Sequence, residues 1–196
     1  MSDPTFQAAY EQLVTALERA RGLGLKEPAA VALATTDLEG RPTVRIVLIR
    51  GVDERGLTFF TNSRSLKGRQ LLVNPRASLC FHWDSVREQI RVDGKVEQIT
   101  EEESDAYWRQ RSRSSQLASA ASLQSEKLAD TEVYAQAVAE LQEKYEGTAI
   151  PRPSHWFGYR IVPDSIEFWY GRDARMHERI IYEKGATEWT SRMLYP

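Results

Sequence analysis

Glu167-Phe168-Trp169-Tyr170-Gly171-Arg172-Asp173-Ala174-Arg175-Met176-His177-Glu178-Arg179 lies between two strand-like runs, Ser165 to Tyr170 and Arg179 to Glu183. The chain reads here as strand, turn, strand, with no helix between. Three arginines and a histidine crowd the turn beside the flat rings of Trp169 and Tyr170. Cations this close repel one another unless an anion sits among them. A ligand aromatic at one end and phosphorylated at the other suits the pattern. The plainer alternative is a solvated basic hairpin around a core tryptophan.

Working outward, Trp156 to Val162, Gln89 to Ile99 and Glu188 to Met193 also read as strands, with Gly94 marking a bulge or turn. Ala77, Leu79 and Phe81 alternate with Ser78, Cys80 and His82, the period of a half-buried strand. Ala29 to Thr35 is a short apolar segment. Val44 to Ile49 and Leu57 to Thr61, joined by the turn Asp53-Glu54-Arg55-Gly56, read as a hairpin. Helices are confined to three places. Asp3-Pro4 opens a helix over 4–22, and Ser65 to Val73 reads as a short one. About 100–146 form a helical insertion, opened by a Thr100/Glu103 capping box and continued by Ser112 to Leu128 and Thr131 to Tyr145. About seven or eight strands without strand–helix alternation argue against a parallel sheet. The expected fold is mainly β with peripheral helices (α+β): an antiparallel barrel forming one domain over 1–196.

The 196 residues carry a net charge of −2, with a pI near 6.0. A dedicated nucleic-acid binder shows a strong basic excess, so none is expected. Cys80 is the single cysteine, which excludes an intrachain disulfide and fits a reducing cytoplasm. No apolar run approaches a membrane span, and the N-terminus lacks a signal-peptide pattern. The histidines have no carboxylate cluster, so no metal site is expected. His82 and His155 read as structural, and Cys80 as a small core residue. Glycine-rich phosphate loops are absent, so any nucleotide must be held by side chains and strand edges.

Four constellations carry chemistry. Arg45-Ile46-Val47-Leu48-Ile49-Arg50 sets cations on an aliphatic strand, Arg45 on one face and Arg50 on the other. Guanidinium suits phosphate because it donates two parallel hydrogen bonds. A charged edge strand is the alternative. Ser65 as N-cap with Lys67 in the first turn makes a phosphate seat or, more plainly, a capped surface helix. Tyr107, Arg111 and Ser115, spaced by four, line one helix face that could hold a second phosphate or simply be solvated. Arg175 and His177 point the same way, with His177 suited to position a polar ring substituent.

In this order the motifs resemble the pyridoxine/pyridoxamine 5′-phosphate oxidase family. The pieces run from Gly24 to Pro196 and include Glu27-Pro28, Arg45-Ile46-Val47-Leu48, Phe60-Thr61-Asn62, Lys67-Gly68, Asn74-Pro75-Arg76-Ala77, Ser115-Gln116, Gln124-Ser125, Pro151-Arg152-Pro153, Trp156, Glu167-Phe168-Trp169 and Arg175-Met176-His177-Glu178-Arg179. The resemblance implies an FMN-binding split barrel working as a homodimer, with two flavins at the subunit interface. It assigns the FMN site to Arg45, Ile46, Val47, Leu48, Phe60, Thr61, Lys67, Gln89, Trp169 and Arg179. The phosphate falls to Arg45 and Lys67, with the partner subunit's Gln124 and Ser125 helping. Arg50, Tyr107, Arg111 and Ser115 would grip a substrate phosphate. Arg175 and His177, the implied catalytic pair, would hold a pyridine ring against the flavin. The implied reaction moves a hydride from substrate C4′ to flavin N5, giving pyridoxal 5′-phosphate. Molecular oxygen then accepts the electrons and leaves as hydrogen peroxide.

Several positions depart from the family pattern. Arg50 stands for a usual lysine, Leu66 for an arginine, Ala118-Ser119-Ala120 for Gly-Ala-Trp, Tyr170 for a glutamine and Met193 for an arginine. The chain also starts late relative to the family. These changes bear on substrate choice more than on FMN. Two alternatives therefore stand beside the phosphorylated pyridine: a flavin oxidase of the phenazine-biosynthesis type acting on a larger reduced ring, and a non-catalytic FMN- or pyridoxal-phosphate-binding protein.

Overall fold

The computed structural model describes residues 3–196. The Asp3 carboxylate accepts the N–H groups of Thr5 and Phe6 and so caps α1 (Pro4–Gly22). This helix buries Leu13, Ala16 and Leu17 against the sheet. Nine strands follow among the described residues: β1 (Ala30–Thr36), β2 (Pro42–Leu48), β3 (Gly51–Asp53), β4 (Gly56–Asn62), β5 (Arg76–Trp83), β6 (Glu88–Gln98), β7 (Trp156–Tyr170), β8 (Glu178–Lys184) and β9 (Trp189–Leu194). Between them lie α2 (Leu66–Val73), α3 (Glu101–Gln110), α4 (Arg113–Ala121) and α5 (Thr131–Lys144). Every strand pair is antiparallel, in the order β2-β1-β5-β6-β7-β4-β3, with β8 on β7 and β9 on β8.

The split lies in β7. One side of this strand pairs with β6 along its length; the other pairs with β4 over Trp156–Ile161 and then with β8 over Ser165–Tyr170. Two short strands were expected here, broken at Pro163. Instead one 15-residue strand runs through it. Pro163 has no N–H to give, and it sits where β7 changes partner and where the β6 register shifts at Asp93/Gly94. Nothing is lost from the ladder at that point. The architecture is the expected antiparallel split β-barrel with peripheral helices.

Alternation decides what is inside. Leu79, Phe81, Ile90, Val92, Ile161 and Phe168 are fully buried between α1 and the sheet. Cys80 departs from expectation: it points to the outer face, between buried Leu79 and Phe81, and is half-buried rather than core. A smaller cluster of Trp108, Leu117, Ile150 and Trp156 anchors the helical insertion.

Two further expectations change. The strand from Val44 pairs with β1, through the turn at Asp37–Arg41, and not with β4. The chain leaves β2 after Leu48, and the separate strand β3 makes the hairpin with β4. Helix α4 ends at Ala121, not Leu128, so Gln124 and Ser125 lie in a loop where Ser125 takes a left-handed φ of 75°. No helix among the described residues is long and apolar enough to cross a membrane.

Candidate functional site

Arg45 and Lys67 meet under the start of α2. Strand alternation turns Arg45 inward from β2, away from exposed Val44 and Ile46. Its Nη1 donates to Thr35 Oγ1 (2.6 Å) and Leu33 O (3.2 Å), and its Nη2 to Thr43 Oγ1 (2.5 Å). Lys67 is only 8% exposed. Its Nζ donates to Gln124 Oε1 (2.9 Å) and Thr61 Oγ1 (3.2 Å). Every acceptor is neutral. Burial first, and then the nearby Arg45 charge, pushes the Lys67 amine down to about 8. Gly68 is obligatory at this corner, because a Cβ there would lie 2.3 Å from Ser63 O. Ser65 Oγ accepts the Gly68 N–H, and Ser125 Oγ accepts the Leu66 N–H at 3.0 Å. Gln124 and Ser125 therefore reach this seat from the same chain, where the partner subunit was expected to supply them.

A second cation lies across the same cleft. The Tyr107 ring stacks on Phe60 at 4.0 Å, and Phe60 on Trp156 at 5.0 Å. Gly158, in register with Phe60, leaves room for this stack; a Cβ there would approach the Phe60 ring to 2.7 Å. Arg111 lies over Trp156 at 5.0 Å and near Trp108 at 5.7 Å. One continuous helix was expected across Tyr107, Arg111 and Ser115. Instead α3 ends at Gln110, Arg111 is extended, and Ser112 caps α4 by accepting the Ser115 N–H. Arg111 Nη2 donates to Ser115 O (3.1 Å) and Ser119 Oγ (2.8 Å), while Nε is buried without a partner. Burial lowers the affinity of Arg111 for its proton; the Arg50 charge acts the same way and Tyr107 opposes it. A cleft of about 340 Å3 is lined by Arg111 and Ser115 on one side and by Thr61 and Gln124 on the other. Arg111 opens on this space directly, and the Lys67 seat borders it through Thr61 and Gln124.

Arg50 follows β2 and gives its N–H to Thr58 O, while Gln89, Trp169, Arg175, His177 and Arg179 gather at the other end of β7. Gln89, Trp169 and Arg179 stand in register on β6, β7 and β8. The His177 ring lies 4.8 Å from Trp169, and its Nδ1 accepts the Arg172 N–H at 3.1 Å. Glu167, 2% exposed, binds Arg179 through Oε1 (2.8 Å to Nε, 2.7 Å to Nη2) and Arg91 through Oε2 (2.8 Å). Arg172 pairs with Glu178, and Arg87 with Asp173. The anion demanded by the crowded arginines is thus in large part the chain's own carboxylates. Arg175 is exposed and sits in a left-handed turn with Ala174 (φ 61° and 51°), not in a strand alternating with His177. Trp156 and Trp169 are thirteen positions apart on β7, about 40 Å along the strand.

Residues 17–145 match the family model for pyridoxamine 5′-phosphate oxidase, and residues 156–196 match the pyridoxine 5′-phosphate oxidase C-terminal dimerisation region. The chain belongs to the pyridoxamine 5′-phosphate oxidase family. Within this oxidase family, the pyridoxine/pyridoxamine 5′-phosphate oxidase of Myxococcus xanthus (strain DK1622) is 46% identical over 179 residues, covering 91% of this chain and 87% of its own. That of Chelativorans sp. (strain BNC1) is 48% identical over 171 residues, covering 87% and 82%. The crystal structure of PhzG from Burkholderia lata 383, in complex with tetrahydrophenazine-1-carboxylic acid, is 34% identical with a TM-score of 0.92 and covers 100% of this chain and 98% of that one.

Sequence reasoning missed several residues that shape this oxidase-family site. Thr35 and Thr43 hold Arg45, Trp156 carries Arg111, and Glu167 clamps Arg179. Only Glu167 had a local signal, since a carboxylate two residues from Trp169 shares its strand face.

Proposed function

We propose that this chain is an FMN-dependent oxidase that converts pyridoxine 5′-phosphate or pyridoxamine 5′-phosphate to pyridoxal 5′-phosphate, with oxygen as acceptor and hydrogen peroxide as product. The observation that carries this reading is the pair of cationic seats without carboxylate partners: Arg111, which lines the cleft, and Arg45/Lys67, which border it through Thr61 and Gln124. Buried Lys67 and half-buried Arg45 and Arg111, with only neutral acceptors, fit phosphate dianions, which would relieve both desolvation and the repulsion between Arg45 and Lys67. The residues present therefore suit FMN.

Arg45 and Lys67, steadied by Thr61, Gln124 and Ser125, hold the FMN phosphate. Ile46, Val47, Leu48 and Phe60 border the cofactor, and Gln89, Trp169 and Arg179 form a ring-facing row. When bound, FMN supplies a two-electron acceptor that oxygen can regenerate. Arg111, Ser115, Tyr107 and Arg50 take the substrate phosphate and so fix the distance of the reacting carbon. Arg175 and His177 hold the pyridine ring. Because His177 Nδ1 accepts a backbone N–H, the neutral ring carries its proton on Nε2, free to donate to a ring oxygen.

Arg111 packs on Trp156 and His177 on Trp169, and these two tryptophans stand towards opposite ends of the 15-residue β7. A homodimer answers this, since a second copy can bring its Trp169 end to the first copy's cleft; the match of 156–196 to a dimerisation region agrees. We further infer one functional domain over 1–196 and a cytoplasmic location, which suits the free Cys80.

The similarity to PhzG favours a second reading, oxidation of a reduced tricyclic acid. A carboxylate at a single point does not need the Tyr107–Arg111–Ser115 grip, which supports the phosphorylated pyridine instead. The test is anaerobic mixing of FMN-loaded protein with pyridoxine 5′-phosphate while the flavin's visible absorption is followed. Bleaching that oxygen reverses, with peroxide released, is expected. A flavin that stays yellow with this substrate but bleaches with a reduced tricyclic acid would transfer the assignment.

A further inference from the structure

We propose that Ser119 is a positioning residue for substrate-phosphate recognition, acting by fixing the orientation of Arg111. The inference rests on the reading of Arg111 as the substrate-phosphate cation. Arginine has many rotamers, and ordering one costs entropy at the moment of binding unless the protein has ordered it beforehand. Here the order is built in two stages. Trp156 and Trp108 lie 5.0 and 5.7 Å from the guanidinium carbon and set where the group rests. Rotation about that resting place is then limited by the two acceptors on Nη2, Ser115 O and Ser119 Oγ.

The two acceptors differ in kind. Ser115 O is main chain and would be there with any residue at 115. Ser119 Oγ is a side chain, one further turn along α4, and at 2.8 Å it is the shorter contact. Its neighbours Ala118, Ala120 and Ala121 have no polar atom to replace it. With Nη2 occupied by these two oxygens and Nε buried without a partner, Nη1 is the nitrogen left to face an anion. Ser119 and Arg111 both line the cleft. The Nη1 donors that remain can take an oxygen of a phosphate monoester.

The experiment uses FMN-loaded protein and the variants Ser119→Ala, Ser119→Thr and Arg111→Ala. Ser119→Ala is expected to raise the KM for pyridoxine 5′-phosphate about tenfold, the size of one lost hydrogen bond to a charged group. Its kcat should stay within about twofold, since the loss is of binding rather than of chemistry. The inhibition constant of inorganic phosphate should rise by the same factor, flavin content should not change, and Ser119→Thr, which keeps the hydroxyl, should restore KM. In the Arg111→Ala background, Ser119→Ala should add nothing, because the two act as a unit. An unchanged KM in Ser119→Ala overturns the proposal. So does a joint fall of kcat and flavin content that threonine does not rescue, since that is a folding defect of α4. If Arg111→Ala also leaves KM unchanged, the phosphate grip itself is wrong; if Arg111→Ala alone raises it, the grip stands and only Ser119 is removed.

Discussion

At the Trp156 end of β7, Arg45, Lys67 and Arg111 meet only hydroxyl, amide and carbonyl oxygens. At the Trp169 end, Arg91 and Arg179 share Glu167, Arg172 faces Glu178 and Arg87 faces Asp173. The Trp156 end leaves these three cations without a carboxylate, although Arg152 beside them pairs with Asp105 and Glu101, whereas the Trp169 end balances all four of those named. A buried cation without a carboxylate destabilises the empty fold and becomes favourable when an anion arrives. A balanced one keeps its geometry with or without ligand. On the proposed reading, the first end would take phosphates, and the second would hold rings and hydrogen-bond donors in place.

Charge removal should therefore have opposite consequences at the two ends. Glu167→Ala strips the shared carboxylate from Arg91 and Arg179, and we expect a loss of about 3 kcal/mol in denaturant unfolding, the scale for breaking a buried pair. A stability within experimental error of the parent would erase the distinction between the ends. Lys67→Met should weaken FMN about a hundredfold, near 2.7 kcal/mol, as read by flavin fluorescence titration. The same variant should make the apoprotein more stable by about 1 kcal/mol, because an unbalanced buried charge is gone. If apo stability falls instead, Lys67 is not an unbalanced cation. Arg111→Ala should raise the KM for pyridoxine 5′-phosphate about thirtyfold while FMN remains bound; a flavin lost along with substrate would merge two seats that appear separate.

The smallest effect is set by pH. In the empty fold the Lys67 amine titrates at about 8 rather than its ordinary 10.5. Above 8 the seat loses its charge, so FMN affinity should fall with rising pH, by at most about tenfold per unit. Apoprotein stability should move the other way. Between 8 and 10.5 the unfolded chain keeps a proton that the folded one has released, so unfolding becomes harder as pH rises through that window. Lys67→Met should flatten both slopes, and slopes that persist would assign them to another group.

Much of this was legible locally. The Asp3 cap, the Thr100/Glu103 capping box and the inward Leu79 and Phe81 follow from rules that span a few residues. Other features were not. Pro163 did not end β7, because a missing N–H is harmful in a paired position and harmless at a change of partner. The β2 partner was misjudged because the turn Asp53–Gly56 reads as joining the whole run from Val44 to β4, while Ile49-Arg50 breaks that run and β1, across the turn Asp37–Arg41, pairs with all of β2.

Residue type and spacing by themselves determined the family, the antiparallel β class and which cations to watch, since these depend on periodicity and on motifs read in order. Which cations are balanced was decided only by tertiary structure. Lys67 is unpaired because β4 and the 122–130 loop bring it Thr61 and Gln124 rather than a carboxylate, and Arg179 is paired because β7 and β8 lie side by side. Charge compensation depends on distances between strands far apart in sequence, and those distances exist only once the sheet has closed.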